Sequence, residues 1–522
     1  MTLANHVHVN GLYTRAVRLE RAHSDDEVTS YIPTQKAAKT LARIAETFTE
    51  HDQPRAWSLV GPYGSGKSSF ALYLAELCRG NPIALERLQN SHAKNLASHF
   101  ANKDILPVLV TGSPEPLGRR LLQALLVTVD EDGSRNTSTK KELTTYIAKL
   151  RKDKVLAPSQ VIEAFEKALN FIEKRGGGGL LLEIDELGKF LEYEARSYNA
   201  NDIYLLQDLA ELSLKGGKTN FYLVVLLHRS IDQYAQGLGE SLKQEWSKIQ
   251  GRFEEVPYVE GVDQILQIVS AAIVQDFSDV DAEKVLANVA KLAGKLSKHT
   301  LIDPSLIDGL FKGCYPLHPL AALLLPQLCN KISQNERTLF SYLGSDEEFG
   351  FKHLLARKDV GDYIYPWDVY DYFVSNQSGA LGDHLTHRRW VEVVTAVERA
   401  DTGEADDIKV LKTIGLFNIV AAQGAFKASL ELLSTTLPVK KLDQSIERLS
   451  KKSLVVHRKF NNEYRVWQGS DFDIDSAIQQ TIFDLGDYSI SDELNRMTSL
   501  NPIVARRHTV ESGAMRYFLP VF

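Results

Sequence analysis

An α/β fold on a parallel sheet, followed by a helical region and a winged-helix unit, is what this sequence predicts. Three observations point to it. Short apolar runs of strand length recur at 57–60, 105–111, 180–184 and 221–227, separated by stretches of helical period. The first run leads into a glycine-rich turn and the third into an acidic pair, at the strand ends where open α/β sheets place their chemistry. Between residues 410 and 467 the pattern is helix, helix, helix, hairpin, the order of a winged helix.

A chain of 522 residues is too long for one ordinary domain. Its composition, 44% hydrophobic and 24% charged, excludes disorder and collagen-like order for the bulk of the chain. Lys plus Arg number 60 against 67 Asp plus Glu, for a net charge of −7. That excludes a globally basic coat for nucleic acid and leaves room for a local basic patch. Cys78, Cys314 and Cys329 lie far apart without C-x-x-C spacing. They form neither a disulfide scaffold nor a cysteine zinc site, and they fit a reducing cytosol. The longest clean apolar run, 221–227, is far shorter than the roughly 20 residues a membrane span needs, and the N-terminus has no apolar secretory region. The expected location is the cytoplasm, with no membrane partner.

Residues 57–74, WSLVGPYGSGKSSFALYL, read as strand, turn and helix. Gly61, Gly66, Lys67 and Ser68 fill the pattern G-x-x-x-x-G-K-[ST]. Glycines there let backbone N–H groups curl around a phosphate with no Cβ in the way, and the helix N-terminus adds partial positive charge. Gly61, Pro62, Tyr63, Gly64, Ser65, Gly66, Lys67, Ser68 and Ser69 are therefore the expected cradle for ATP. Lys67 would reach the β and γ phosphates, and the Ser68 hydroxyl would coordinate Mg²⁺. A chance glycine-rich turn would lack the strand before it and the helix after it.

Residues 176–193, GGGGLLLEIDELGKFLEY, supply the acidic half. Four glycines break the preceding helix, 180–184 forms a buried strand, and Asp185 and Glu186 stand at its end. Asp185 would hold Mg²⁺ through water. Glu186 would be the general base that orients the attacking water, because in-line hydrolysis needs a proton acceptor opposite the leaving phosphate. A helix N-cap would account for one of these carboxylates but not for both. A strand ending in Asp-Glu is the pattern of an NTP hydrolase rather than of a small P-loop kinase. Residues 115–175 read as a helical insertion whose charge is a solvated face.

His228 ends the run 221–227, where it would sense the γ-phosphate and position water or merely cap the strand. Arg252 would reach the nucleotide of a neighbouring subunit or pair with Glu254 or Glu255. With Lys67 and Glu186, these two complete the expected catalytic set. Residues 31–36, YIPTQK, lie just upstream of the cradle and would border the adenine.

These readings divide the chain into a core at 1–259, a helical lid and connecting region at 260–394, a winged helix at 395–480 and a C-terminal extension at 481–522. Within the lid, His318 has no second metal-type ligand nearby, so no metal is assigned to it. Arg337 at a polar helix start would be structural or a second phosphate sensor. Residues 346–394 read as loop-rich, with the aromatic run YIYPWDVYDYF as a packing or partner surface. Between 439 and 460 seven cations (Lys440, Lys441, Arg448, Lys451, Lys452, Arg458 and Lys459) face two carboxylates (Asp443 and Glu447), giving a local charge of +5. Double-stranded DNA on Lys440, Lys441, Lys451, Lys452 and Arg458 is one use of this face, and interdomain or protein contact the other. The extension ends in an apolar run expected to be a strand stopping at the last residue, as in a chain that continues or a split polypeptide.

The order GPYGSGKSS, LLLEIDELGKFLEY, QGRFEEVPY, YPLHP…QNERTLF, winged helix and ARRHTVESGAMRYF resembles the N-terminal ATPase region of large bacterial anti-phage-defence ATPases. These are P-loop proteins of the BREX and phage-growth-limitation kind. The layout is also similar to origin-recognition initiators and STAND-type switches of the AAA+ branch. The resemblance implies an AAA+-like core with ATP and Mg²⁺ on Lys67 and Ser68, hydrolysis supported by Asp185 and Glu186, and Arg252 acting between subunits. It further implies self-association and other defence-system proteins as partners. The 115–175 insertion departs from the initiators, and the large C-terminal portion of such ATPases is not in this sequence. The expected function is an ATP-driven motor or switch working with DNA or partner proteins in anti-phage defence. Two alternatives stand beside it: a nucleotide-gated oligomeric scaffold with little turnover, and a DNA-binding regulator with an ATP sensor.

Overall fold

A computed structural model describes residues 2–15, 17–21, 25–49, 53–133, 138–151, 156–196, 202–215, 217–234, 240–277, 282–300, 302–332, 339–376, 384–400, 404–420 and 426–467, and beyond these 478, 480–481, 489–498, 500, 502–505, 507–508, 511 and 516–522. In chain order its strands are β1 (Val7–Val9), β2 (Ala56–Val60), β3 (Ile105–Thr111), β4 (Gly179–Asp185), β5 (Asn220–Leu227), β6 (Glu254–Pro257), β7 (Ile273–Gln275), β8 (Val455–Arg458), β9 (Glu463–Val466), β10 (Ile503–Val504) and β11 (Tyr517–Phe518).

The four apolar runs read from the sequence become β2, β3, β4 and β5 of one parallel sheet, ordered β3-β4-β5-β2-β6. Every residue of β4 and β5 is buried, as expected of strands covered by helices on both faces. Alternation along β4 divides the core. Leu180, Leu182 and Ile184 pack with the helices Leu117–Glu131, Ser138–Leu150 and Pro158–Arg175, whereas Leu181 packs with the P-loop helix Lys67–Arg79. The stretch read as an insertion thus supplies three helices that cover one face of the sheet. Strand β6 escaped the sequence reading because Glu-Glu-Val-Pro at a sheet edge has neither an apolar run nor a full alternation. Strands β1 and β7, antiparallel partners of three residues each, escaped it by their shortness.

The region read as a lid carries the helices Val262–Ala272, Ala282–Leu296, Pro304–Gly313 and Pro319–Ile332. Arg337 lies outside the described residues. Residues 346–394 correct the sequence reading: they form the helices Phe351–Arg357, Pro366–Asn376 and His384–Arg399 rather than loops. Pro366 sits at the start of its helix, where its missing N–H is harmless, and Val369, Tyr370 and Phe373 recur at helical spacing to bury one face. The aromatic run is therefore mostly packing.

The helices Ala405–Val420, Leu430–Thr436 and Leu442–Lys451 precede the antiparallel pair β8–β9, registered Val455 to Val466, which is the winged-helix order. Leu416, Leu432, Leu449 and Val466 join the same apolar core as Leu266 and Leu324 of the lid. Residues 1–467 form one compact unit and residues 468–522 a second. In the second unit the helix Ile490–Met497 accompanies β10 and β11, which pair Ile503 with Phe518. The terminal run was expected to be strand to its end. Instead β11 stops after Phe518, since Pro520 has no N–H to offer a ladder.

One ion pair on a buried carboxylate ties the helices Ala405–Val420 and Leu442–Lys451 together. The Arg448 guanidinium donates from Nε to Asp407 Oδ2 at 2.8 Å and from Nη2 to Oδ1 at 2.5 Å, and it also pairs with Glu404. Burial pushes the Asp407 carboxyl upward, but hydrogen bonds from Arg448 and Ser445 outweigh it and hold the group below the usual carboxylate range. A depressed folded value stabilises the native state above the unfolded carboxylate value of about 3.9 and is lost as the pH falls through the folded value. The Arg448→Met variant is therefore expected to melt below the wild type at neutral pH. That difference should shrink as the pH is lowered past about 3.9, measured by thermal denaturation across pH.

Candidate functional site

Sheet register draws the site together. The Gly61 N–H donates to Leu227 O at 3.0 Å, the Leu187 N–H to Leu226 O at 3.2 Å and the Gly112 N–H to Asp185 O at 2.8 Å. These bonds align the loops after β2, β3, β4 and β5 at one edge. There a cavity of about 1000 Å³ is lined by residues 62–69, Asp185, Glu186 and His228, together with residues of the N-terminal segment and the lid.

The cradle has the backbone its glycines allow. Gly64 and Gly66 lie at φ +73° and +84°, where an L side chain is strained. A Cβ on Gly61 would stand 2.2 Å from Tyr258 O, so that glycine is dictated by the close passage of the chain leaving β6. Gly66 precedes the P-loop helix, whose first N–H groups have no acceptor within the helix and face the loop. The Lys67 ammonium donates to Gly61 O at 2.6 Å, Pro62 O at 2.8 Å and Ser65 Oγ at 3.3 Å. Burial lowers its pKa to about 8, against the opposing pull of Asp185 and Glu186.

Asp185 is buried, and burial raises its carboxyl. The Ser68 hydroxyl and the Glu186 N–H, the latter at 2.8 Å from Oδ1, hydrogen-bond the charged form and oppose that shift. Ser68 and Asp185, predicted as partners on one cation, are thus already bonded to each other. A serine hydroxyl and one carboxylate, with room for water and phosphate oxygens, are a donor set that suits Mg²⁺. Glu186 turns at φ +51°, and a Cβ on Gly112 would meet its carbonyl oxygen at 2.1 Å. Its Oε2 accepts from Lys189 Nζ at 2.5 Å.

The other predicted residues are placed as follows. His228 stacks on Tyr63 of the cradle at 4.7 Å, with the Tyr234 hydroxyl 3.0 Å from Nδ1. Burial, aided by neighbouring Arg229, lowers its pKa and keeps the ring neutral near pH 7. Arg252 pairs with Glu211 at 2.7 Å rather than with Glu254 or Glu255, and it is not among the residues lining the cavity. Glu254 instead binds Arg43, and Glu255 accepts from Gln250. Of residues 31–36, expected to border an adenine, Tyr31, Ile32 and Thr34 line the cavity. Lys440, Lys441, Lys451 and Lys452 are exposed on the winged helix, remote in sequence from the cavity and absent from its lining. Lys451 pairs with Glu447, and Arg458 stands 4.0 Å from Glu463. With Arg448 committed to Asp407, the basic face is weaker than its sequence count.

The sequence reading missed several parts of the cavity wall. Thr111 to Ser113 at the tip of β3, the segment Tyr258 to Glu260 and the lid residues Ile265, Ile268 and Phe340 all line it. The N-terminal arm also contributes, because Glu20 accepts from the Thr111 N–H at 2.6 Å and pairs with Arg120. Only VPY, which closes β6 and leads out of it, offered a signal, as a proline-bounded end to an apolar step. The other parts carry no motif.

Among solved structures, the chain is similar to the Aeropyrum pernix ORC2 protein in its ADPNP-ADP complexes, at 11% identity and a TM-score of 0.33, over 90% of this chain and 95% of that one. The ADP form of the same protein aligns at 10% identity and 0.32, over 87% and 93%. No protein-family model and no curated protein matches the sequence.

Only a protonated Lys67 would attract a phosphate, and burial brings its pKa down to about 8. Affinity for a nucleoside diphosphate is therefore expected to be flat below pH 7 and to weaken above about pH 8, by up to tenfold per unit. Titration calorimetry in buffers of different ionisation heat should show proton uptake on binding above pH 8 and little at pH 6.5.

Proposed function

We propose that this chain binds ATP with Mg²⁺ and hydrolyses it, as an AAA+-like motor or switch. The observation that supports this most is the meeting of Lys67, Ser68, Asp185 and Glu186 on one cavity large enough for a nucleotide, from two strands separated by β5. The backbone of 61–66 and the start of the P-loop helix would bind the phosphates. Lys67 would exchange its bonds to Gly61 O and Pro62 O for the β and γ oxygens. Mg²⁺ held by Ser68 and, through water, by Asp185 would neutralise phosphate charge. Glu186 would leave Lys189 and take the proton of the attacking water. His228, neutral and braced between Tyr63 and Tyr234, would orient that water or the γ-phosphate. Arg252 would act on a neighbouring subunit's nucleotide only after parting from Glu211. A role in anti-phage defence, with self-association and other defence proteins as partners, is part of the proposal and rests on the order of motifs alone.

Steady-state ATP hydrolysis tests the reading. Lys67→Ala is expected to lose ATP binding, whereas Glu186→Gln is expected to keep binding and lose turnover by about a hundredfold or more. Turnover unchanged in either variant would overturn it. Tight binding with negligible turnover in every sample would instead favour the scaffold alternative.

A second observation favours an interface with double-stranded DNA. Phe460 is 83% exposed in the β8–β9 turn, beside exposed Lys459 and half-buried Arg458, on the same unit as Lys440, Lys441, Lys451 and Lys452. Lys427 bonds Asn461 O and fixes the turn that presents it. An exposed aromatic ring among cations suits a nucleic-acid surface. Neutralising the four lysines is expected to weaken DNA binding and to flatten its salt dependence, by about 0.9 in log–log slope for each phosphate that is no longer neutralised. Binding and slope unaffected by the change would remove DNA from this face.

A further inference from the structure

The groups that would meet phosphate and water are each held by a partner within the chain. Lys67 bonds Gly61 O and Pro62 O, Ser68 bonds Asp185, and Glu186 bonds Lys189. Of these residues only Lys189 belongs to no motif. It is the second residue of the helix Gly188–Arg196, in a first turn without acidic residues, where the helix dipole disfavours a cation. Helix stability therefore does not account for an ammonium at this position. Its Nζ stands 2.5 Å from Glu186 Oε2, and both residues line the cavity. The bond to Glu186 raises the Lys189 pKa, slight burial opposes the rise, and Tyr63 of the cradle and Asp185 are the further acidic groups that act on it. Hydrogen bonds run from the P-loop helix to this ammonium without a gap: Ser68 to Asp185, the Glu186 N–H to Asp185 Oδ1, and Lys189 to Glu186. The Lys189 side chain is half exposed, so it can change partners without opening the core.

We infer that Lys189 distinguishes ATP from ADP: it leaves Glu186 for the γ-phosphate and so frees the base only when there is a bond to cleave. This rests on the hydrolytic reading above and adds what releases its base. A water bonded to Glu186 and in line with the γ-phosphate is all that separates that carboxylate from the phosphate. An ammonium already on Glu186 is then one swing of a flexible stem from the γ oxygens. A terminal phosphate carries about two negative charges near neutral pH against one on the carboxylate, so Coulomb attraction favours the exchange. ADP puts no phosphate at that place, and Lys189 stays on Glu186. There it occupies one of the two oxygens that could take the water proton.

The test is equilibrium binding of ADP and of the β,γ-imido analogue of ATP, each with Mg²⁺, to the full chain in the wild type and in Lys189→Met. The wild type is expected to bind the analogue more tightly than ADP. In the variant the analogue is expected to weaken by roughly tenfold, the span of a charge-assisted contact less an exposed pair given up, while ADP stays within about twofold of its wild-type affinity. A cation that only steadies Glu186 or the helix start would move both ligands alike. Equal loss for the two, or no loss for the analogue, would therefore overturn the assignment. So would equal affinity of the wild type for the two ligands, a comparison that needs no variant to fold. Failure of the wild type to bind either ligand would sink the nucleotide reading itself, a result distinct from binding without discrimination.

Discussion

The register of β5 between β2 and β4 is the constraint on which the rest of this structure depends. The P-loop and the acidic pair lie on strands that do not touch, so only β5, bonded to both, can bring their ends level. Val60 is opposite Leu227 and Ile184 opposite Val225, which leaves the exits of all three strands at one edge. Parallel pairing makes such a register costly to alter, because a slip of one residue would turn every buried side chain of β5 to the opposite core. The apolar composition of Asn220–Leu227 thus serves the site as much as the core, although the strand itself ends at only one residue of the cavity's expected set, His228.

The strand, glycine turn and helix at 56–79 and the acidic pair closing β4 were legible in the sequence because their signals are local. Eight consecutive residues make the turn, and a largely apolar strand points directly at Asp185 and Glu186. The winged-helix order was legible for a similar reason, with helical spacing followed by alternation around Asn461 and Asn462. Other features depend on long-range partners. Strand β6 is a strand because β2 lies beside it, and its own Glu-Glu-Val-Pro would satisfy a loop equally well. The wall residue Glu260 is held by Thr34, which lies 226 positions away. Residues 346–394 misled through composition, since aromatic and acidic residues that look like a loop surface are packed by helical spacing once Pro366 starts the turn.

Charge was the least faithful guide. A sequence count treats each cation as available, but the structure commits Arg448 to Asp407 and Glu404, Lys451 to Glu447 and Arg252 to Glu211. Of these only the Arg448 pair is anchored on a buried carboxylate, so the others hold their partners loosely and remain free to exchange them. A basic face of this kind has an affinity set by competition between its own acids and a polyanion. Its strength therefore depends on ionic conditions more than its formal charge implies.

The pairing of β1 with β7 has a consequence for how the molecule is made. Val7 lies opposite Gln275, so the strand synthesised early must wait for a partner 268 residues later in the chain. At about 5–20 residues per second on the ribosome, that wait lasts roughly a quarter of a minute to a minute. The parallel sheet is complete once β6 has emerged, before β7 exists, so its strands can pair while β1 is still unpartnered. Closing so long a loop is slow and entropically unfavourable until the intervening core has shortened it. The β1–β7 pair is thereby joined late, beside a parallel sheet that has already been laid.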